Sequence, residues 1–183
     1  ILDSLEKNGA RATFFVVGDR VSANAASILR AHQLGCEIGN HTYGHKYITK
    51  LSAEGLASQL DKTNQLVAGV TGVSPVLMRP PGGFYDSASL SVVGGRGMSA
   101  IMWSIDTRDW QHRNAQKTID EVLSKVKDGD IVLMHELYSS TADATATFVP
   151  QLAAQGFQFV TVSELAQFKG KALTANQVYY SIR

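Results

Sequence analysis

Short apolar runs alternate with helical stretches along this chain, and that alternation limits the possible folds more than any other feature. Residues 12–18 (ATFFVVG) are β-branched and aromatic and end in glycine, which indicates a buried strand. Strands separated by helices pair in parallel through right-handed crossovers, and apolar strands of this kind are covered on both faces. A doubly wound sheet and a β/α barrel both satisfy this pattern. Further strands are predicted over residues 36–42, 76–78, 101–105, 130–135 and 157–162.

Helices are predicted between these strands. Apolar residues at 119, 122, 123 and 126 lie on one face of a helix that would end at Asp128-Gly129. Ser52 is a candidate N-cap for a second helix, which would end near Gly72. Other helices are predicted over residues 1–7, 22–35 and 141–156, the last with a kink or boundary at Pro150.

Size and charge exclude several classes of protein. A chain of 183 residues with 44% hydrophobic and 18% charged residues predicts a single globular domain, residues 1–183. The net charge of +1 gives no reason to expect a nucleic-acid or anionic-membrane partner, and no apolar run is long enough to span a bilayer. The lone cysteine, Cys36, excludes an internal disulfide and is interpreted as a small buried residue. We expect a monomer.

Polar and ionisable residues gather where four predicted strands end. In a β/α barrel, catalytic residues lie at the carboxyl ends of the strands, so these clusters predict one shared site. The clusters are residues 41–45 (HTYGH), 79–83 (RPPGG), 106–110 (DTRDW) and 135–136 (HE).

The spacing of His41 and His45 has a geometric consequence. Along a strand, residues i and i+4 are roughly 13 Å apart, whereas two imidazoles on one zinc ion each place a nitrogen about 2.0–2.1 Å from it. The chain must therefore turn after His41 for the pair to chelate a metal, and Gly44 would ease a tight or helical turn. The pair does not form a His-Glu-x-x-His motif, because Thr42 follows His41. A base for a metal-dependent reaction must come from elsewhere.

His135 ends an apolar run and is either a core residue or a site residue. A neighbouring carboxylate would fix the tautomer of its imidazole and suit it to act as a general acid. Asp109 and Asp106 are both candidates for that carboxylate, and spacing does not choose between them. His32 is expected to face solvent, and His112 is expected to lie in a polar loop away from the reaction.

The segment after the third strand offers a cation and two open amides. Arg79 precedes two prolines that hold the chain extended. It is either a surface charge or a fork that binds a buried carboxylate and keeps it ionised. Gly82 and Gly83 leave backbone N–H groups sterically open, as an oxyanion site requires.

Taken together and in this order, the motifs GNHTYGH (39–45), RPP (79–81), DW (109–110) and LMH (133–135) resemble those of the NodB-like polysaccharide deacetylases, carbohydrate esterase family 4. The similarity covers essentially the whole chain. It implies a distorted (β/α) barrel of seven to eight strands, and a hydrolase that removes acetyl groups from amino sugars or acetylated xylan. It also implies a divalent metal, usually zinc, and an acetylated polysaccharide as the partner.

The resemblance assigns a role to each candidate residue. His41 and His45 would be metal ligands, and Arg79 would pair with the catalytic base. The Gly82 N–H would bind the oxyanion. Asp109 would orient His135, the general acid. Trp110 and Leu133 would line the acetate pocket.

Two departures from the family pattern matter. The family's first motif, Thr-Phe-Asp-Asp-Gly, supplies the base and the third metal ligand, and no Phe-Asp-Asp occurs in this sequence. We expect that motif, and the first barrel strand that carries it, upstream of Ile1, and we expect little activity from these 183 residues alone. Many relatives also have a bulky residue where this chain has Gly82.

Several alternatives remain open from the sequence. The ending of the chain looks most like that of bacterial peptidoglycan N-acetylglucosamine deacetylases, which implies an extracellular or cell-wall location. A chitin deacetylase and an acetylxylan esterase are alternatives within the family. A sugar-binding relative without activity, with aromatics such as Tyr43, Phe84 and Trp110 stacking on sugars, is the alternative of another class.

Overall fold

The computed structural model describes residues 1–183, and its strands form a parallel sheet with helices packed around it. Five strands pair in the order β1-β2-β3-β4-β7, and β5 pairs with β6 in a separate two-stranded sheet. Every pair is parallel, as the alternation of strands and helices predicts. The strands are β1 (Thr13–Val16), β2 (Glu37–Asn40), β3 (Leu77–Met78), β4 (Ser99–Ile101), β5 (Ile105–Asp106), β6 (Val132–Leu133) and β7 (Val178–Tyr179).

Nine α-helices connect the strands, and the longer ones cover the sheet. Short 3₁₀ turns lie at Ser22–Asn24, Ile48–Lys50 and Pro81–Gly83. The α-helices are α1 (Leu2–Lys7), α2 (Gly18–Val21), α3 (Ala25–Gln33), α4 (Ala53–Thr71), α5 (Ser87–Gly94), α6 (Asp109–His112), α7 (Ala115–Lys125), α8 (Ser139–Ala154) and α9 (Val162–Phe168). None of them is both long enough and apolar enough to cross a membrane.

Helix α4 forms as its sequence predicts. The Ser52 hydroxyl accepts a hydrogen bond from the Gly55 N–H at 3.1 Å, and Gly72 ends the helix in a left-handed conformation with φ of 77°. The apolar face buries Leu56, Leu60 and Val67. Local caps and one apolar stripe are therefore sufficient to define this helix.

Three predicted element boundaries are wrong. Helix α7 ends at Lys125 because Val126 is extended. Gly129, predicted as its cap, instead allows close packing, since an added Cβ would lie 2.4 Å from the Ile182 carbonyl oxygen. Pro150 lies inside α8 and does not end it. The run over residues 101–105 is divided between β4 and β5 because the chain changes partners, from β7 to β6.

The strand predicted over residues 157–162 does not form. This segment runs beside β1, and the Arg11 N–H donates to the Phe159 carbonyl at 3.0 Å, but no ladder follows. Thr161 and Glu164 form a capping box that starts α9 instead. The remaining edge of the large sheet is supplied by β7, which pairs with β4.

The sheet is an open (β/α) barrel rather than a closed one. Strand β1 pairs only with β2, and β6 pairs only with β5. A cavity of about 1640 Å³, lined mainly by apolar side chains, extends from β1 to β6 and beneath α8. Protein interiors are close-packed, and ligand pockets typically have volumes of about 300–1,000 Å³. This cavity is therefore larger than an ordinary packing void and larger than a typical ligand pocket. The predicted fold class is confirmed, with the barrel open at this point.

Candidate functional site

The predicted site residues converge at the carboxyl ends of the strands, at one mouth of the large cavity. Two histidines follow β2, an arginine and a glycine follow β3, and a histidine follows β6. Parallel strands bring these ends together because all their carboxyl termini share one edge of the sheet. The predicted residues that line the cavity are His41, His45, Arg79, Gly82, Trp110, Leu133 and His135.

The chain turns after His41, as the spacing of the histidine pair requires. The ring centroids of His41 and His45 are 4.8 Å apart and their planes meet at 72°. The turn is not helical, and Gly44 does not have positive φ. Thr42 (φ 63°) and His45 (φ 53°) take the left-handed conformation instead. Such conformations are uncommon for residues other than glycine and are often found at functional sites.

Neighbouring groups hold this loop in its strained conformation. Asn40 is fully buried at the end of β2, and its Oδ1 accepts from the Thr42 N–H at 2.8 Å. Its Nδ2 donates to the Leu60 carbonyl at 2.9 Å and to Asn64 Oδ1 at 2.8 Å. The Gly44 N–H donates to Gln59 Oε1 at 2.8 Å. Helix α4 therefore fixes the histidine loop through side-chain amides.

Both histidines of the pair favour the neutral form. His41 Nδ1 lies 2.6 Å from the Arg79 carbonyl oxygen, which can only accept, so Nδ1 carries the proton and Nε2 keeps a free lone pair. Burial lowers the pKa of His41 to about 3. Burial, followed by the positive charge of Arg20, lowers the pKa of His45. Neutral imidazoles with a second partner on the other nitrogen are the form that binds divalent metals.

The pair is an incomplete metal site within this chain. No group of three or more His, Cys, Asp or Glu side chains lies in an arrangement that could hold a metal ion. Two imidazoles supply half of the four ligands of a tetrahedral zinc site. The donors present fit a divalent transition metal in type and protonation, but further ligands are needed.

His135 is bound to Asp109, which decides between the two candidate carboxylates. His135 Nδ1 donates to Asp109 Oδ1 at 2.8 Å, and the His135 backbone N–H donates to Oδ2 at 2.7 Å. Asp106 instead accepts from the Arg108 N–H at 3.0 Å. Since Nδ1 is occupied, Nε2 of His135 is the nitrogen available to exchange a proton. His135 lines the same cavity as His41 and His45.

Asp109 is kept ionised in a buried position. Only 1% of its side chain is exposed, and Thr141 Oγ1 donates a further hydrogen bond to Oδ2 at 2.7 Å. Burial favours the neutral acid, but the hydrogen bonds from His135 and Thr141 outweigh it and hold the pKa of Asp109 below its ordinary value. Thr141, in the first turn of α8, thereby connects that helix to the His135–Asp109 pair.

The other two histidines are outside the site. His112 Nε2 donates to the Thr107 carbonyl at 2.9 Å, and its Nδ1 accepts from the Asn114 N–H at 3.1 Å. Both nitrogens are thus used to fix the loop between α6 and α7. His32 is half-buried on α3 rather than fully solvent-facing.

Arg79 is buried, so the surface-charge interpretation is wrong. Its Nε and Nη2 donate to the carbonyls of Ile101 and Met102, both at 3.0 Å. The guanidinium lies 4.3 Å from the centre of the Phe15 ring, and no carboxylate of this chain pairs with it. Burial lowers the pKa of Arg79 to about 9, which leaves it charged at neutral pH. A buried charge without a counter-ion is costly, so the site has a place for an anion.

Gly82 has an amide without a partner in the protein. Its φ of 65° favours glycine, and the neighbouring Gly83 N–H donates to the Pro80 carbonyl at 3.0 Å. No backbone or side-chain acceptor receives the Gly82 N–H. Gly82 is exposed and lines the cavity, so its unpartnered N–H is available to bind a developing negative charge.

Trp110 and Leu133, the two residues predicted to line an acetate pocket, both line the large cavity. Leu133 is buried at the end of β6, two residues before His135. Trp110 is exposed at the start of α6, next to Asp109. Both side chains contribute apolar surface to the cavity that His135 also lines.

The sequence predictions missed two polar residues that organise the site. Asn40 and Thr141 contact no candidate reaction centre, but each satisfies buried groups next to one. The sequence could have indicated Asn40, because an amide side chain at the end of an apolar strand, immediately before His41, is expected to be buried and to need hydrogen-bond partners. Thr141 had none, since its partner lies 32 residues away in the chain.

In the complete protein we expect Thr141→Val to lower kcat roughly tenfold, because a lost hydrogen bond to a charged group is worth about 1.5–3 kcal/mol and Asp109 would hold His135 less firmly. KM should change little, since Thr141 lies behind Asp109. Thr141→Ser keeps the hydroxyl and should restore most of the rate. Steady-state kinetics of the two variants test this, and equal rates for valine and serine would contradict it.

The fold and the site define a β/α-barrel protein whose ionisable groups gather at the carboxyl ends of the strands. The family model described as "Polysaccharide deacetylase" matches residues 1–101. The chain belongs to the polysaccharide deacetylase family, as its motifs predict.

Similar proteins agree with this assignment. The chain is 36% identical over 170 residues to "Peptidoglycan-N-acetylmuramic acid deacetylase PdaC" of Bacillus subtilis (strain 168), covering 92% of this chain and 36% of that protein. It is 37% identical over 180 residues to "Peptidoglycan-N-acetylglucosamine deacetylase PgdA" of Listeria monocytogenes serotype 1/2a (strain 10403S), covering 98% of this chain and 37% of that protein. The chain thus spans little more than a third of the length of these two relatives.

A solved structure extends the comparison to a third substrate class. A family 4 acetyl xylan esterase from Clostridium thermocellum, in complex with a cobalt ion, superposes with a TM-score of 0.92 at 29% identity. The match covers all of this chain and 90% of that one. The barrel fold is therefore shared across nearly the full length of both chains.

Proposed function

We propose that the protein carrying this chain is a metal-dependent hydrolase that removes N-acetyl groups from a polysaccharide, with N-acetylglucosamine of peptidoglycan as its substrate. The observation that carries the proposal is one cavity lined by a pair of neutral histidines, by the histidine of a separate His–Asp pair and by an unpartnered backbone N–H. Membership of the polysaccharide deacetylase family and the two peptidoglycan-acting relatives support the reaction and the substrate.

His41 and His45 are the proposed metal ligands. His41 is neutral and has a free lone pair on Nε2, which suits a borderline-soft cation, so zinc is the proposed metal. The cobalt ion in the acetyl xylan esterase structure supports a divalent transition metal. A metal bound there supplies Lewis acidity to the acyl carbonyl and to water.

The chain's other residues have roles in acyl transfer that follow from their positions. The Gly82 N–H donates to the oxyanion that develops on the acetyl oxygen. His135 gives a proton from Nε2 to the departing amine nitrogen, and Asp109 stabilises the ring orientation through Nδ1. Trp110 and Leu133 enclose the acetyl methyl group. Cleavage of the amide bond thus uses two hydrogen-bond donors, the Gly82 N–H for the acetyl oxygen and His135 for the departing amine nitrogen.

The base and the remaining ligand are proposed to come from a further β-strand that fills the opening between β1 and β6. Two features of the cavity support this. It is apolar and about 1640 Å³ in volume, and it is bordered by two strand edges that lack neighbours. Arg79 also lies at its mouth as a buried cation without a counter-ion. A strand that ends in two carboxylates would pair with the free edges of β1 and β6 and would also supply a counter-ion for Arg79.

Activity assays on this chain and on the same chain extended upstream by its natural sequence test the proposal. We expect deacetylation of peptidoglycan by the extended protein only, with loss after chelation and recovery on adding zinc. Chitin oligomers and acetylxylan, assayed side by side, identify the substrate. Equal activity of the two chains would exclude a base outside these residues, and inactivity of both on all three polymers would exclude the function.

Arg79→Met provides an independent test of the missing carboxylate. In the extended protein we expect it to cost about 3–5 kcal/mol of unfolding free energy, because it leaves a buried carboxylate unpaired. In this chain alone the cost should be smaller, about 1–3 kcal/mol, from the carbonyl groups of Ile101 and Met102 that lose a donor. Urea denaturation measures both values. Equal costs in the two proteins would contradict a carboxylate partner.

The remaining properties follow from this function. The proposed partner is an acetylated polysaccharide, and the proposed location is outside the cell or at the cell wall, where the relatives' peptidoglycan substrates lie. Residues 1–183 are proposed to act as a single domain and as a monomer. Gel filtration of the purified protein tests the last point.

A sugar-binding protein without activity is a second candidate. It is favoured by one observation, namely the exposed aromatic side chains of Phe84 and Trp110, which could stack on sugars without any reaction. Binding of oligosaccharides without turnover by the extended protein would select this candidate over the hydrolase.

A further inference from the structure

Two exposed aromatic side chains are in contact beside the cavity, Tyr47 in its lining and Phe84 next to Tyr47. Tyr47 and Phe84 are 47% and 55% exposed, although both are large rings that bury readily. Their centroids are 5.1 Å apart with the planes tilted by 58°. Single exposed apolar residues are common, but two aromatic rings in contact beside a cleft form a patch that needs an explanation.

The two rings lie against the backbone of Gly82. A Cβ added there would lie 2.9 Å from Tyr47 Cε1 and 3.0 Å from Phe84 Cδ2. The rings therefore fill the space into which a side chain at position 82 would project. They stand directly beside the N–H proposed to bind the oxyanion, so whatever contacts the rings lies next to the reacting acetyl group.

The backbone under both rings is fixed. Tyr47 precedes a 3₁₀ turn in which the Lys50 N–H donates to the Tyr47 carbonyl at 3.0 Å, and the next residue, Ile48, is buried. Phe84 stands two residues before Asp86, whose capping box starts α5. A preorganised surface loses little conformational entropy when it binds a ligand.

We propose that Tyr47 and Phe84 form an aromatic wall that binds the pyranose ring of the sugar adjacent to the one being deacetylated. The proposal rests on the proposed function, because it places the acetyl group at Gly82. Pyranose rings have an apolar C–H face that packs on aromatic rings, and their hydroxyl groups remain in water at an exposed site. Trp110 is exposed and also lines the cavity mouth, and it provides a second aromatic contact for the same polymer.

The wall predicts a dependence on substrate length. In the complete protein, Phe84→Ala should lower the ratio of kcat/KM for a chitin or peptidoglycan oligosaccharide to that for a single acetylated sugar about five- to tenfold, the value of one aromatic contact. The Tyr47→Ala/Phe84→Ala double variant should lower the ratio further, and Phe84→Trp should restore it. Val73→Ala, equally exposed at 55% beyond the end of α4, is the matched control and should leave the ratio unchanged.

Calorimetric titration of the same oligosaccharide separates the wall from the reaction. Weaker binding by the double variant supports the wall even if the wild-type protein does not deacetylate, in which case only the proposed function fails. Unchanged binding and an unchanged ratio in the double variant overturn the wall, while wild-type deacetylation would still support the function. Failure of the wild-type protein to bind any oligosaccharide overturns both.

Discussion

In the complete protein, replacing His135 by alanine is expected to lower kcat by about 10²–10⁴-fold, the usual contribution of a positioned general acid or base, with a much smaller change in KM. The reason is that His135 has one nitrogen fixed on a buried carboxylate and the other free at the cavity mouth. Its loss removes the only proton donor proposed for the departing amine. Single-turnover and steady-state kinetics on an acetylated oligosaccharide measure the effect.

Two further variants make this test specific. Asp109→Asn keeps the shape of the side chain, but asparagine has only one oxygen and cannot replace both carboxylate oxygens that accept from the His135 N–H and Nδ1–H. We therefore expect a loss of kcat close to that of His135→Ala. His112→Ala is the matched histidine control, because both ring nitrogens of His112 bind backbone groups outside the site. Unchanged turnover in His135→Ala, with the fold intact by circular dichroism, would remove His135 from the reaction.

The second large effect is expected for Asn40→Ala. We expect a loss of about 2–4 kcal/mol in unfolding free energy, since three buried hydrogen-bonding groups would lose their partner. In the complete protein we also expect metal affinity to fall about 10–100-fold, because the Thr42 N–H bond to Asn40 helps to fix the loop between His41 and His45. Urea denaturation and titration with zinc or cobalt measure the two effects.

Asn40→Asp distinguishes hydrogen bonding from packing. Aspartate has nearly the same shape and can still accept from the Thr42 N–H, but an ionised carboxylate cannot donate to the Leu60 carbonyl or Asn64 Oδ1. It should therefore be destabilising despite its size. Asn24→Ala, at an exposed asparagine whose side chain donates one hydrogen bond to the Arg20 carbonyl, should change stability by only about 0.5 kcal/mol. An Asn40→Asp protein with wild-type stability and metal affinity would show that the amide is not needed.

The sequence correctly predicted helices and strands whose determining residues lie close together in the chain. Helix α4 has its cap, apolar stripe and terminating glycine within 21 residues, and it formed as predicted. The strand over residues 157–162 failed because strand formation depends on a neighbouring edge, which the sequence of the segment does not contain. The end of α7 was misplaced for a similar reason, since Gly129 serves packing against Ile182 rather than the helix.

The sequence by itself determined a parallel α/β fold and the gathering of His41, Arg79, Asp109 and His135 at one edge, because strand ends follow from periodicity. It also required the chain to turn between His41 and His45. Only the tertiary structure decided that Thr42 and His45 take the strained conformations and that Asp109 rather than Asp106 binds His135. Only the structure, too, shows that Arg79 is buried without a counter-ion. Those outcomes depend on contacts between distant segments, which set burial and hydrogen-bond partners and leave no local pattern in the sequence.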